Sequence, residues 1–228
     1  EDRELIRGGN ERVIRPRLED AEFFYAQDKK ISLSARYEKL SEIVFERRLG
    51  NLHQKSERIK RIALLVSDRF GAKENLCSLA AKMSRCDLTT DMVTEFPHLQ
   101  GIMGAAYAAL EPKLAPISDI IKYFYHPRFA NDKLPPNPES QCIAFSDKLD
   151  TLVGIFGTGL KPTGDKDPFG LRRSAIGLIR ILVENAVGIN LQKAIKYSFE
   201  EYSHVQLASD TEWVVYQFIE DRMRSYFT

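Results

Sequence analysis

The sequence predicts an all-α protein. Apolar residues recur at three- and four-residue steps in nearly every segment free of Gly or Pro clusters, and no stretch sustains a period of two. Gly and Pro fall between those segments, at Gly50, Gly71, Pro97 and Pro135-Pro136-Asn137-Pro138, where helices should stop. The pattern amounts to a bundle of about ten helices. With 228 residues, 43% of them hydrophobic, the chain can bury a full core without staples.

Residues 1–17 read as a charged lead-in broken by Gly8-Gly9 and Pro16, after which a helix from Leu18 to about Lys30 buries Leu18, Ala21, Phe24 and Tyr25. A helix over 34–49 places Tyr37, Leu40, Val44 and Phe45 on one face, and Gly50 ends it. From Asn51 to Phe70, Leu52, Ile59, Ile62, Ala63, Val66 and Phe70 share a face, and Gly71 suits the C-terminal cap. A further helix, about Glu74 to Val93, carries Leu76, Leu79, Ala80 and Met83. Small residues over 101–109 predict a helix lying close against a neighbour, and another runs from about Ile117 to Tyr125.

The Pro-rich loop then separates these helices from one over about 139–156, a loop over 157–167, and a helix from Pro168 to about Asn185. Asp167 suits the N-cap of that helix and Pro168 its first position, because the ring fixes φ and the missing N–H would have no intrahelical partner. Two helices, 190–203 and 210–227, complete the chain. Residues 18–228 are expected to form a single domain, with the Pro-rich 127–138 loop as the one place for a subdivision. The charged start without Met leads us to expect a piece excised from a longer chain.

Composition excludes several function classes. The net charge is +1, from 33 basic and 32 acidic side chains, so any argument for nucleic acid must be local. Cys77, Cys86 and Cys142 are too few and too widely spaced for a disulfide framework or a zinc set, which fits a reducing, cytoplasmic setting. No apolar run approaches a membrane span, so no membrane partner is expected. His53, His98, His126 and His204 stand apart from any partner at ligand spacing, and no nucleophile elbow is present.

Two regions are rich in candidate ligand groups. Gly159-Leu-Lys161-Pro-Thr-Gly164-Asp-Lys166-Asp167 has the composition of a phosphate loop, but Asp165 separates Gly164 from Lys166 and the preceding segment is helical, so it is read as an ordered connection. Lys161, Lys166, Arg172 and Arg173 surround it, and the arginines either pair internally or face RNA. Residues 36–73 carry ten Lys/Arg against five Asp/Glu. Within them Lys55, Arg58 and Arg61 fall at helical steps away from Leu52, Ile59 and Ile62, a face that either is simply solvated or tracks a phosphate backbone.

Asp87, in Arg85-Cys86-Asp87-Leu88, and Asp147, in Phe145-Ser-Asp147-Lys-Leu-Asp150, resemble the last two ligand positions of the HD phosphohydrolase superfamily, helical metal enzymes with a His, a His-Asp pair and a final Asp. Cys86 stands where the paired His would be and no His stands in the 56–68 helix, so the resemblance implies a vestigial site and no bound metal.

Longer blocks carry a second, wider resemblance: Gly9-Asn-Glu-Arg-Val-Ile-Arg-Pro-Arg-Leu-Glu-Asp-Ala-Glu-Phe-Phe-Tyr25, Arg85-Cys-Asp-Leu-Thr-Thr-Asp-Met-Val-Thr-Glu-Phe-Pro-His-Leu-Gln-Gly-Ile-Met-Gly104, Pro127-Arg-Phe-Ala130 and the stretch 147–173. From about Gly9 to the C-terminus the chain resembles the β subunit of bacterial glycyl-tRNA synthetases. The resemblance implies a central, HD-like helical domain of an aminoacyl-tRNA synthetase component. It also implies an α₂β₂ ligase that joins glycine to tRNA(Gly), with ATP and Mg bound in the alpha subunit and tRNA contacts in the β subunit. No catalytic residue or cofactor is then expected here, and Lys55, Arg58, Arg61, Lys161, Lys166, Arg172 and Arg173 are the tRNA-binding candidates. The rival readings are a metal-dependent phosphohydrolase, disfavoured by the missing His ligands, and a structural domain that contacts only protein.

Overall fold

The computed structural model describes residues 2–228, so Glu1 of the expected lead-in lies outside the described residues. The architecture is helical, as the periodicity predicts: α1 (Asp2–Asp28), α2 (Leu52–Phe70), α3 (Glu74–Met83), α4 (Asp91–Glu95), α5 (Ile102–Ala109), α6 (Ser118–Tyr123), α7 (Pro138–Gly157), α8 (Leu171–Glu184), α9 (Leu191–Glu200) and α10 (Thr211–Phe227). Short 3-10 turns link several of them, and one two-stranded hairpin, β1 (Val44–Glu46) and β2 (Gly50–Asn51), precedes α2.

The centre of the bundle is α7, which packs against α2, α3, α6, α8, α9 and α10. Its start follows from local chemistry. Pro138 occupies the first turn, and Asn137 accepts a hydrogen bond from the Ser140 N–H while the Ser140 hydroxyl accepts from the Asn137 N–H, so the end donors are satisfied reciprocally. Buried all round, α7 presents Phe145, Leu149, Leu152, Val153 and Phe156 to its neighbours. Full burial of each such side chain contributes about 1.5–3 kcal/mol.

The second structural axis is α2. Asn51 and Gln54 form a capping box at its start, and Gly71, at φ 66°, closes its end as expected. Because α2 lies between α3 and α7 and also meets α9, it is buried on more than the apolar face visible in the sequence.

Four element expectations change. The first helix begins at Asp2 and runs through Gly8-Gly9 and Pro16 rather than starting at Leu18. Its strong helix formers sustain it, and its C-terminal Asp28 is anchored: one carboxylate oxygen accepts from the Asp91 N–H and Arg36, the other from the Met92 N–H and the Tyr107 hydroxyl. Residues 34–49 form 3-10 turns and β1, because Glu46 accepts from the Arg48 and Leu49 N–H groups and turns the chain into Gly50, at φ 92°. The 74–93 segment divides after Met83, and Thr90, whose hydroxyl accepts from the Val93 N–H, starts α4.

Finally, α8 starts at Leu171, not Pro168. Gly170 sits at φ 63°, and the Asp167 carboxylate reaches forward to accept from the Leu171 N–H (2.8 Å) and the Arg172 N–H (3.0 Å). Asp167 is thus a cap, acting from outside the first turn. The small-residue expectation for α5 holds: a Cβ on Gly104 would come within 2.8 Å of Ile121 on α6.

Candidate anion-binding cleft

Two carboxylates of α7, Asp147 and Asp150, are one helical turn apart and face two cations of α2, Lys55 and Arg58, also one turn apart. The two helices pair them across the core. Asp150 accepts from Arg58 Nε at 2.7 Å and from Lys55 Nζ at 2.8 Å, and also from the Tyr202 hydroxyl at 3.0 Å. Asp147 is held by Arg85, whose Nη2 donates to it, and lies 3.3 Å from Lys55 Nζ. Aromatic faces cover these charges: Lys55 lies 4.2 Å from the centre of the Phe45 ring, and Arg58 lies 4.1 Å from that of Tyr202.

This geometry corrects the predicted RNA face. Lys55 is 2% exposed and Arg58 0%, so neither can touch a phosphate backbone, and Arg61 is engaged with Glu201 on the segment after α9. Sequence periodicity assigned them to solvent because it registers only apolar neighbours, whereas α7 covers this side of α2 with carboxylates. The matched i, i+3 spacing of Lys55/Arg58 and Asp147/Asp150 was the available signal.

The HD-type carboxylates do not fit a dication. Burial pushes the Asp147 carboxyl up, but Arg85 and Lys55 outweigh that and hold it at about 2, so it is a carboxylate already neutralised by side-chain cations. Asp87 faces a different environment, accepting through Oδ2 from the Gly101 N–H (2.6 Å) and the Gly104 N–H (3.2 Å) while its Oδ1 is buried without a partner. Burial raises its pKa to about 6. Among the described residues no three His, Cys, Asp or Glu side chains come together in a metal-holding group.

Above Asp147 the surface opens into a cleft of about 940 Å³ between the 97–102 segment, the end of α6, α7 and the start of α8. Its cations are Lys122, Arg128, Lys133, Lys148 and Arg173. Its two carboxylates are already engaged, Asp132 with Arg128 (3.0 Å) and His126 (3.2 Å), and Asp147 as described. Tyr123, Tyr125 and Phe169 line it with aromatic surface, and His98 and His126 also reach it.

Of the tRNA-binding candidates from the sequence, Arg173 alone lines this cleft. It is exposed, and neither it nor Arg172 makes an ion pair among the described residues. Arg172 is half-buried, close enough to Arg222 to depress that guanidinium, itself lowered first by burial. Lys161 and Lys166 are exposed on the 157–167 loop and do not line the cleft. Sequence reasoning missed Lys122, Arg128, Lys133 and Lys148, because the cleft joins segments far apart in the chain. Lys148 did adjoin Asp147 in the stretch that looked chemically richest.

The family model described as glycyl-tRNA synthetase beta subunit matches residues 1–228. The chain belongs to the glycyl-tRNA synthetase beta subunit family. It is 44% identical over 220 residues to the glycine–tRNA ligase beta subunit of Acinetobacter baumannii (strain AYE), covering 96% of this chain and 32% of that protein. Beta subunits from Alteromonas mediterranea (42% identical over 224 residues, covering 98% of this chain and 32% of the relative) and Aromatoleum aromaticum (43% over 221 residues, 96% and 32%) are similarly related. The chain therefore spans about a third of the length of the glycine–tRNA ligase beta subunits it matches. Among the described residues of this family member, no helix is long and apolar enough to cross a membrane.

Proposed function

We propose that this region serves a glycine–tRNA ligase by docking tRNA(Gly) against the cleft, while glycine activation takes place on a partner alpha subunit of an α₂β₂ assembly. The observation that carries the reading is the charge of the cleft: Lys122, Lys133 and Arg173 are exposed cations free of ion pairs among the described residues, on one concave surface. Such groups fix the register of a phosphate backbone without reading sequence. Lys161, Lys166 and Arg172 extend the basic surface around α8.

ATP and Mg would act in the alpha subunit, and the whole assembly would work in the cytoplasm. The HD-like arrangement supplies a scaffold here rather than hydrolysis, because Asp147 is committed to Arg85 and Lys55. A second reading, contact with protein alone, is favoured by Leu5, Ile6, Val13, Ile14 and Leu18, which are exposed along α1.

A salt titration of tRNA binding by the intact synthetase tests the first reading. Changing Lys122 and Arg173 to Glu should weaken binding and flatten the dependence of log affinity on log salt by about one for each phosphate that is no longer neutralised. Unchanged affinity and slope would remove the cleft from the RNA surface.

A further inference from the structure

The floor of the cleft holds a cation that the fold leaves without a counter-ion. Lys148 is 6% exposed, and its Nζ donates to the carbonyl oxygens of His126 (3.2 Å) and Tyr125 (3.4 Å). No carboxylate makes an ion pair with it among the described residues, since Asp147 is taken by Lys55 and Arg85 and Asp132 by Arg128 and His126. Just below, Lys55, Arg58 and Arg85 share only Asp147 and Asp150, three cations against two carboxylates. With Lys148, four buried cations stand against those two ion-paired carboxylates, and Asp87, near Arg85, is a further buried acid beside them. An unpaired ammonium in the interior is costly, and a neutral side chain of similar length would avoid that cost.

The packing around Lys148 also keeps its path open. A Cβ on Gly177 of α8 would come within 2.6 Å of Lys148 Cε and 3.3 Å of Pro127 Cγ. The absence of a side chain at position 177 is what lets the lysine stem pass between α8 and the His126-Pro127 turn to the cleft floor. Above it stand Arg173 and Lys122, and Tyr123 and Phe169 offer flat apolar walls.

We infer that the cleft floor is a phosphate-ester pocket that seats one nucleotide-sized unit end-on, its phosphate against Lys148 and its base against Tyr123 or Phe169. The volume, about 940 Å³, is that of a small-ligand cleft and is sufficient for a nucleotide. Base stacking on aromatic walls beside cations is the usual chemistry of single-stranded nucleic-acid sites. The inference rests on the cleft being an anion-binding face, as in the reading above, but not on tRNA being the occupant. The same group arrives in two forms, as the phosphorylated end of an RNA or as a free nucleotide.

The test uses the full-length protein, with adenosine 5′-monophosphate, adenosine and a short single-stranded RNA with or without a 5′-phosphate as probes. Affinity and the shift in melting temperature are the readouts. At least one phosphorylated probe should bind about tenfold or more tightly than its unphosphorylated counterpart, as expected for a charged hydrogen-bonded contact. Preference for the phosphorylated RNA alone identifies an RNA end as the source, and binding of the mononucleotide identifies a free nucleotide.

Lys148→Met should lose that preference while melting no lower than the unchanged protein. Gly177→Ala, which retains the charge but displaces the stem, should weaken the phosphorylated probe. Arg173→Ala, on the exposed rim, gives the same direction of change in a variant with no core to disturb. Equal binding of phosphorylated and unphosphorylated probes, or undiminished preference in both Lys148→Met and Arg173→Ala, overturns the pocket. If tRNA binding nevertheless responds to the Lys122 and Arg173 reversals, the RNA face stands and only the phosphate-ester pocket falls.

Discussion

Arg58 on α2 donates through Nε to Asp150 Oδ1 on α7 at 2.7 Å, and neither side chain reaches solvent. This contact, with Lys55 on the other carboxylate oxygen, joins the two most buried helices of the bundle by charge as well as by apolar packing. Removing one member leaves the others charged in the interior. Asp150→Asn should therefore destabilise the fold by about 3–5 kcal/mol in a denaturant titration. Replacing Lys55, Arg58 and Asp150 together by apolar residues of similar size should recover much of that loss. Loss of less than about 1 kcal/mol on Asp150→Asn would mean that the cluster is solvated.

Acid stability should carry two opposite contributions from the carboxylates. Asp147 and Asp150 lie below the ordinary range, because their cations outweigh burial, so the stability they add is present above the unfolded value near 3.8 and is lost as pH falls, for Asp147 through about 2. Asp87 is raised to about 6 by burial. Its neutral form is favoured in the fold, so its contribution is fully present below 3.8 and declines as pH rises through 6. Stability measured between pH 4 and 7 should fall with Asp87 in place, and Asp87→Asn, which keeps an acceptor for the Gly101 and Gly104 N–H groups, should remove that fall. An identical pH profile in the variant contradicts the assignment.

Gly154 faces the same cluster from within α7. An added Cβ would overlap the Tyr202 hydroxyl and approach Leu49 Cδ1 at 2.9 Å. Gly154→Ala should cost about 1–3 kcal/mol despite its gain in helix propensity, because the tyrosine that donates to Asp150 must move. A melting temperature equal to or above that of the unchanged protein would show that Tyr202 is free to shift.

The parts of the fold that were legible in the sequence are those set by local chemistry. Asn51 and Gly71 bound α2, and α7 begins within one residue of the start expected after the Pro-rich loop, although its cap, Asn137, was read as part of that loop. The hairpin at 44–51 was not legible, since Glu46 turns the chain by bonding to backbone N–H groups, which leaves no mark on hydrophobic periodicity. The same blindness placed Lys55 and Arg58 at the surface. Charged residues read as exposed until the partner helix is known, and Asp150 lies 92 residues beyond Arg58 in the chain. Arg173 was identifiable from its helix, whereas Lys122, Lys133 and Lys148 join it only after α6, α7 and α8 have packed.

The central claim is that the open cleft, not the lysine and arginine face of α2, meets RNA. Its most direct test is a hydroxyl-radical source tethered to Ser174→Cys on the cleft wall of the intact synthetase with bound tRNA. The native cysteines of this region, Cys77, Cys86 and Cys142, are buried and should not compete for the label. We predict strand cleavage confined to one continuous tract of the tRNA, lost when Lys122 and Arg173 are reversed to Glu. Absence of cleavage, or cleavage that survives those reversals, would contradict the account.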